Sequence, residues 1–281
     1  MMQKFRRLRP SGLIQEAKRS FAFSTPVFSL PDNEQPMYLV RPKNGFLPRK
    51  DPIFHLPPRF DVLEDILKNM TIEQPNGKKG LLYSGDLGRT VEKDLPLIDV
   101  SDIKDPMLVG ALFRDYSFLL SAYILEPCDI NWRKSNEYGL GRDRVPKSVA
   151  IPISILAAKQ GSRPFMEYSY SYAPNNYKKI DPQEECIFDN MRAVRMFAGN
   201  EDENGFMMVH VAMGNYSGRL VKHVEETIEA AKNRDREAFN KALVNVNQTS
   251  NIINSVFSTM WYRSRPAAYN TYRTFIMGIK N

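Results

Sequence analysis

MLVGALFRDYSFLLSAYIL, residues 107–125, is the longest apolar run in the chain, and its reading decides the fold. Its 19 residues fall just short of a bilayer crossing. Arg114 and Asp115 stand at its centre, where lipid makes charge costly. The run therefore reads as the buried helix of a helical bundle. Asp105 is a suitable N-cap and Pro106 fits the first helical position. Pro127 is expected to stop the helix at about Glu126. The central Arg114–Asp115 pair is either a buried structural ion pair or part of a site. The cost of unpaired buried charge favours the structural reading.

Other helices flank this one. In DVLEDILKNM (61–70), Leu63, Ile66, Leu67 and Met70 recur at helical spacing, with Asp61 placed to cap. VPKSVAIPISILAAKQG (145–161) reads as a helix ended by Gly161. The phenol-rich FMEYSYSYAPNNY that follows fits a short strand or a short helix equally. AGNEDENG (198–205) is polar and without period, and reads as a linker. Two long helical patterns come next, at about 206–232 and, behind Asp235 as a cap, 236–260. Eight prolines between Pro26 and Pro58 make the N-terminal region extended arm and loop. The expectation is an all-α chain in two parts. A basic, Pro-rich arm (1–44) leads into a small helical domain (45–198). The N-terminal part of a larger helical domain (199–281) follows.

With 281 residues, 42% of them hydrophobic, the chain can bury a large core or two smaller ones. The net charge is +7. Residues 1–50 hold ten basic and three acidic residues, so the whole excess lies there and the body is neutral. That argues against a nucleic-acid groove, which needs basic residues and stacking aromatics along the body. A basic arm docking to an anionic surface is the one electrostatic alternative. Cys128 and Cys186 form no metal-ligand spacing and no disulfide framework, which fits a reducing compartment. Residues 1–12 are basic but lack the apolar stretch of a secretory leader. A cytoplasmic location is expected, ahead of a mitochondrial one.

The chain has no glycine-rich phosphate loop, no HExxH and no GxSxG. It does have three histidines, His55, His210 and His223. His210 lies in GFMMVHVAMGNYSGRLV (205–221), on one helical face with Phe206 and Met213. The spacing alone leaves two readings, a core histidine with satisfied nitrogens or a histidine facing a ligand. His55, in the Pro-rich IFHLPPRF, reads as structural.

Three stretches then resemble one family. They are ALFRDYSFLLSAYILEPCD (111–129), YGLGRDRVPKSVAIPISILAAKQGSRPFMEYSYSYAPNNY (138–177) and GFMMVHVAMGNYSGRLV. With PAAYNTYRTFIMG (266–278), they are similar in order and spacing to the indoleamine 2,3-dioxygenases. The likeness is closer to the fungal and bacterial-type members and runs over roughly residues 45–281. The resemblance implies a small helical domain packed on a larger helical, haem-binding one. It implies haem b as cofactor, with L-tryptophan or a related indoleamine, O2 and an electron donor as partners. The product is N-formylkynurenine, formed on the kynurenine route towards NAD. A monomer with no nucleic-acid and no membrane partner is expected. By residue, the resemblance implies His210 as the catalytic distal group, with Tyr168, Ser171, Phe206 and Tyr269 lining the substrate pocket. Arg273 matches the arginine that pairs with the substrate carboxylate. The proximal haem-ligating histidine is expected beyond Asn281. The alternative is a non-catalytic haem- or O2-binding member, or a helical interaction module without that ligand.

Overall fold

A computed structural model describes residue 31 and residues 35–276. Most of the arm expected over 1–44 lies outside the described residues. Among the described residues the helices are α1 (Asp61–Met70), α2 (Leu81–Ser84), α3 (Leu87–Asp94), α4 (Pro106–Ser135) and α5 (Lys147–Gln160). After them come α6 (Glu201–Lys232), α7 (Arg236–Ser258), α8 (Met260–Arg263) and α9 (Pro266–Ile276). Two short strands, β1 (Tyr177–Lys179) and β2 (Met191–Ala193), pair antiparallel with Tyr177 opposite Ala193. The fold is thus helical, as expected from the periodicity, with one small two-stranded sheet that the all-α expectation did not include.

The run at 107–125 becomes the first two thirds of α4, and 94% of its most apolar stretch is buried inside the protein. Phe113, Tyr116, Phe118 and Leu119 are fully enclosed. Asp105 caps the helix, accepting the Met107 N–H at 3.0 Å. Arg114 and Asp115 are both 0% exposed and form a 2.7 Å ion pair. Arg195 joins them, pairing with Asp115 at 2.8 Å and with Glu64 at 2.7 Å. Arg114 also donates to the carbonyls of Ile53 and Asn175. These partners make the pair structural.

Two expectations about helix ends need correction. Pro127 does not stop α4, which continues to Ser135. Proline lacks the N–H that would reach the Tyr123 carbonyl, and its ring crowds that carbonyl. Here the Arg142 guanidinium donates to Tyr123 O, and the Arg142 backbone N–H donates to Ile124 O at 2.9 Å. Glu126, 0% exposed, holds the same guanidinium at 2.5 Å. The interrupted ladder is repaired from outside the helix. At α1, Asp61 is the first helical residue and not the cap; Phe60 takes the cap position without a side-chain bond.

The polar segment 198–205 is not an exposed linker. Asn200 caps α6 by accepting the Glu203 N–H at 2.9 Å, and Glu201, Asp202 and Glu203 occupy the first turn, where the helix dipole favours acids. Asp202, Glu203, Asn204 and Gly205 are buried. A Cβ at Gly205 would overlap the Arg263 carbonyl oxygen, so only glycine lets α6 and α8 approach this closely. Asp202 binds the Arg265 side chain and N–H, fixing the start of α9.

Helix α7 starts behind Asp235, which caps it through the Ala238 N–H at 2.9 Å, and packs against α6. α9 folds back onto α4 and α6. Its Phe275 is fully buried, and Ser121 of α4 donates to the Phe275 carbonyl. Just after the arm, the Phe46 N–H donates to Ser217 Oγ of α6 at 2.9 Å.

Candidate functional site

α6, α9 and the segment after α5 meet in a cluster of aromatic rings. The Tyr168–Tyr172 segment resolves the open choice between strand and helix. It is a π-helical turn, with the Asn175 N–H reaching Tyr170 O. The wide turn sends Tyr168 and Tyr172 to the same side, with rings 5.3 Å apart. Phe206, at the second turn of α6, lies 6.3 Å from Tyr168 and 5.5 Å from Tyr269 of α9. His210 follows one turn later, 5.0 Å from Phe206 and edge-on to Tyr168 at 5.8 Å.

His210 is half-buried, and its Nδ1 lies 2.7 Å from the Phe206 carbonyl. A carbonyl only accepts, so Nδ1 carries the proton and donates. Burial pushes the imidazole below its ordinary value, against a smaller opposite effect of that hydrogen bond. The neutral ring is thus held with an unprotonated Nε2. Tyr168 and Tyr272 are both raised by burial and stay phenols. The cluster is uncharged, with Tyr172 and Tyr272 fully buried and Tyr168 at its exposed edge.

The structure brings Tyr168, Phe206, His210 and Tyr269 together. Arg273, one turn beyond Tyr269, is exposed, with its guanidinium carbon 6.0 Å from the Tyr269 ring centre. Among the described residues, no carboxylate lies within ion-pair distance of it. Ser171 is not in the ring cluster. It is fully buried one layer behind, where its hydroxyl donates to Ser117 Oγ of α4 at 3.4 Å. His223 binds Glu226 at 2.9 Å. It lies 13 residues from His210 on the continuous α6, roughly 20 Å of helical rise. His55 is exposed and rests on Phe54.

Sequence reasoning missed Tyr172, Phe197, Glu203 and Tyr272. Tyr272 lies 5.7 Å from Phe206 and edge-on to Tyr269 at 5.3 Å. Its three-residue spacing from Tyr269 was the available signal. Tyr172 belonged to the phenol run, but only the π-helical turn aims it inward.

Fold and site define a helical protein in which a cluster of aromatic rings and a neutral histidine lie beside an exposed arginine. The model of the indoleamine 2,3-dioxygenase family matches residues 34–281. This chain belongs to that family. Indoleamine 2,3-dioxygenase 1 of Rattus norvegicus is 24% identical over 207 residues, covering 74% of this chain and 48% of the rat protein. An indoleamine 2,3-dioxygenase of Aspergillus nanangensis and a 6-hydroxytryptophan 2,3-dioxygenase of Fusarium equiseti are each 22% identical. Each covers 87% of this chain and 56% of the fungal protein. The chain spans about half the length of the curated relatives it matches.

Proposed function

We propose that this chain forms the substrate-facing side of a haem-dependent dioxygenase. The enzyme opens the indole C2–C3 bond of L-tryptophan, or a related indoleamine, with O2 to give N-formylkynurenine. One observation carries the reading: a neutral His210, its tautomer set by Phe206 O, offers an acceptor nitrogen beside aromatic walls in a chain of this family. In this reading the rings of Phe206 and Tyr168 lie against the indole. His210 Nε2 accepts the indole N–H, and Tyr269 covers the opposite side. Arg273 pairs with the substrate carboxylate, a bond for which the planar guanidinium is well shaped. The rings exclude water, which strengthens these polar contacts.

The residues present fit haem b on this side. A hydrophobic macrocycle needs apolar, uncharged walls. Phe206, His210 and Met213 run along one partly exposed edge of α6 and would hold it. Among the described residues, no group of three or more His, Cys, Asp and Glu offers a competing metal site. Haem, when bound and reduced by an electron donor, supplies the activation of O2.

Product formation is the test. Purified protein carrying ferrous haem, together with the segment expected to supply its proximal histidine, is expected to release N-formylkynurenine when given L-tryptophan and O2. His210→Ala is expected to lower kcat/KM by about tenfold, the worth of one hydrogen bond. L-tryptophan binding without product would replace this reading with the non-catalytic one. No binding would remove the indole ligand altogether.

A further inference from the structure

Glu203 is fully buried at the first turn of α6, and no step of the proposed reaction uses its carboxylate. Its Oε2 accepts the N–H groups of Ala198 at 2.6 Å, Phe197 at 3.0 Å and Gly199 at 3.1 Å. Its Oε1 faces the Phe197 N–H at 2.9 Å and the Tyr172 hydroxyl at 3.2 Å. The Tyr172 ring lies 5.3 Å from Tyr168 and 6.4 Å from Phe206. Behind it, the Phe197 and Phe118 rings stack at 6.2 and 5.8 Å. One carboxylate thus joins the turn before α6, the π-helical turn and α6 itself, directly behind the pocket wall.

We propose that Glu203 is a positioning residue for the pocket: the direction of its hydrogen bond with Tyr172 sets the seat of that ring and, through it, of Tyr168 and Phe206. An ionised Glu203 can only accept, so Tyr172 must donate to it. In the acid form, Oε2 stays occupied by three N–H donors. The proton therefore sits on Oε1 and is donated to Tyr172, whose own O–H is released to turn elsewhere. Burial pushes the Glu203 carboxyl up to about 7, against the backbone donors and Tyr172, so both forms are populated near neutrality. Among the described residues, Tyr272 of α9 also faces this carboxyl, its hydroxyl 2.9 Å from Ser264 Oγ. Asp202, next on α6, is turned to Arg265. The α4 side presents the Phe118 ring. The inference takes from the proposed function only that the pocket holds an aromatic ligand.

The test is fluorine NMR of the protein labelled with 3-fluorotyrosine, with the Tyr172 and Tyr168 signals assigned by Tyr172→Phe and Tyr168→Phe. L-tryptophan affinity is measured on the same protein across pH. Both signals are expected to move with a midpoint near 7 and to lose that step in Glu203→Gln. In that variant the amide oxygen keeps the backbone donors and the NH2 group donates to Tyr172. The affinity for L-tryptophan is expected to change several-fold at the same midpoint in the wild type and to stay flat in the variant. Should Glu203→Gln not fold, Tyr172→Phe serves instead, and the Tyr168 step should vanish in it. A Tyr172 signal that does not titrate, or a Tyr168 step that survives either variant, overturns the proposal. So does a titrating pair of signals with unchanged affinity. Titrating signals in a protein that binds no L-tryptophan at any pH support the positioning role and sink only the indole reading.

Discussion

Arg273 and Glu203 show how differently two ionisable side chains are placed beside one ring cluster. Arg273 is exposed and free of carboxylate partners among the described residues, so it is available to a ligand. Arg273→Ala is expected to raise the KM for L-tryptophan by about 10- to 100-fold, the worth of a charge-assisted hydrogen bond. Haem binding should be unchanged, and a haem-binding assay run beside the kinetics checks that the residue acts on substrate alone. Glu203 is buried, and its carboxyl is raised from the ordinary 4.5 to about 7. The folded protein therefore holds that proton more tightly than the unfolded chain. Its contribution to stability is full below about 4.5 and is lost as pH rises to about 7, of order 3 kcal/mol in all. His210 runs the other way: its depressed value removes stability as pH falls below the ordinary histidine range. Urea titrations of wild type and Glu203→Gln between pH 4.5 and 8 separate the two. The difference curve should fall with pH, and a flat one would show that Glu203 titrates normally.

At the scale of elements, α4 shows where local pattern is informative and where it fails. Periodicity located α1, α4, α5 and α7 because a helix that buries one stripe must repeat it every three to four residues. The end of α4 was misread because the repair of Pro127 comes from Arg142, fifteen residues away and outside the helix. The start of α6 was misread for a related reason. Asp202, Glu203 and Asn204 look like solvent-loving residues. Their partners (Arg265, the amides of 197–199 and the Ala193 N–H) appear only once the chain has folded. His210, Arg273 and Tyr269 were singled out only through family resemblance, since spacing alone could not separate a ligand-facing histidine from a core one. Arg142→Ala is expected to cost about 3 kcal/mol, because it removes the donor to the Tyr123 carbonyl and leaves the buried Glu126 carboxylate with only the Leu87 and Gly88 N–H groups and no counter-charge. Denaturant unfolding measures this, and Arg142→Lys should recover only part, because a single ammonium nitrogen lacks the planar fork that reaches Tyr123 O and Glu126 together.

Across the whole molecule, α9 ties the late part of the chain to the early part. Phe275 is fully buried against Phe197, with ring centres 4.9 Å apart, and Tyr272 closes the pocket from the same helix. Phe275→Ala is expected to cost about 3–4 kcal/mol. Unfolding should remain one cooperative transition by both circular dichroism and fluorescence, since the core runs through both parts. Two separated transitions would mean that residues 45–198 and the helices after them fold independently. The excess positive charge gathered in residues 1–50 leaves the body neutral, so salt should change L-tryptophan binding only through the single Arg273 contact.

The external repair of α4 also bears on the order in which this protein is made. During synthesis the first turns of α4 can form as they emerge, but the carbonyls around Pro127 have no partner until residue 142 has been added. The last turns of the central helix must then wait for a later stretch of chain. Amide hydrogens after Pro127 should become protected from exchange later in refolding than those before it, within one uninterrupted helix.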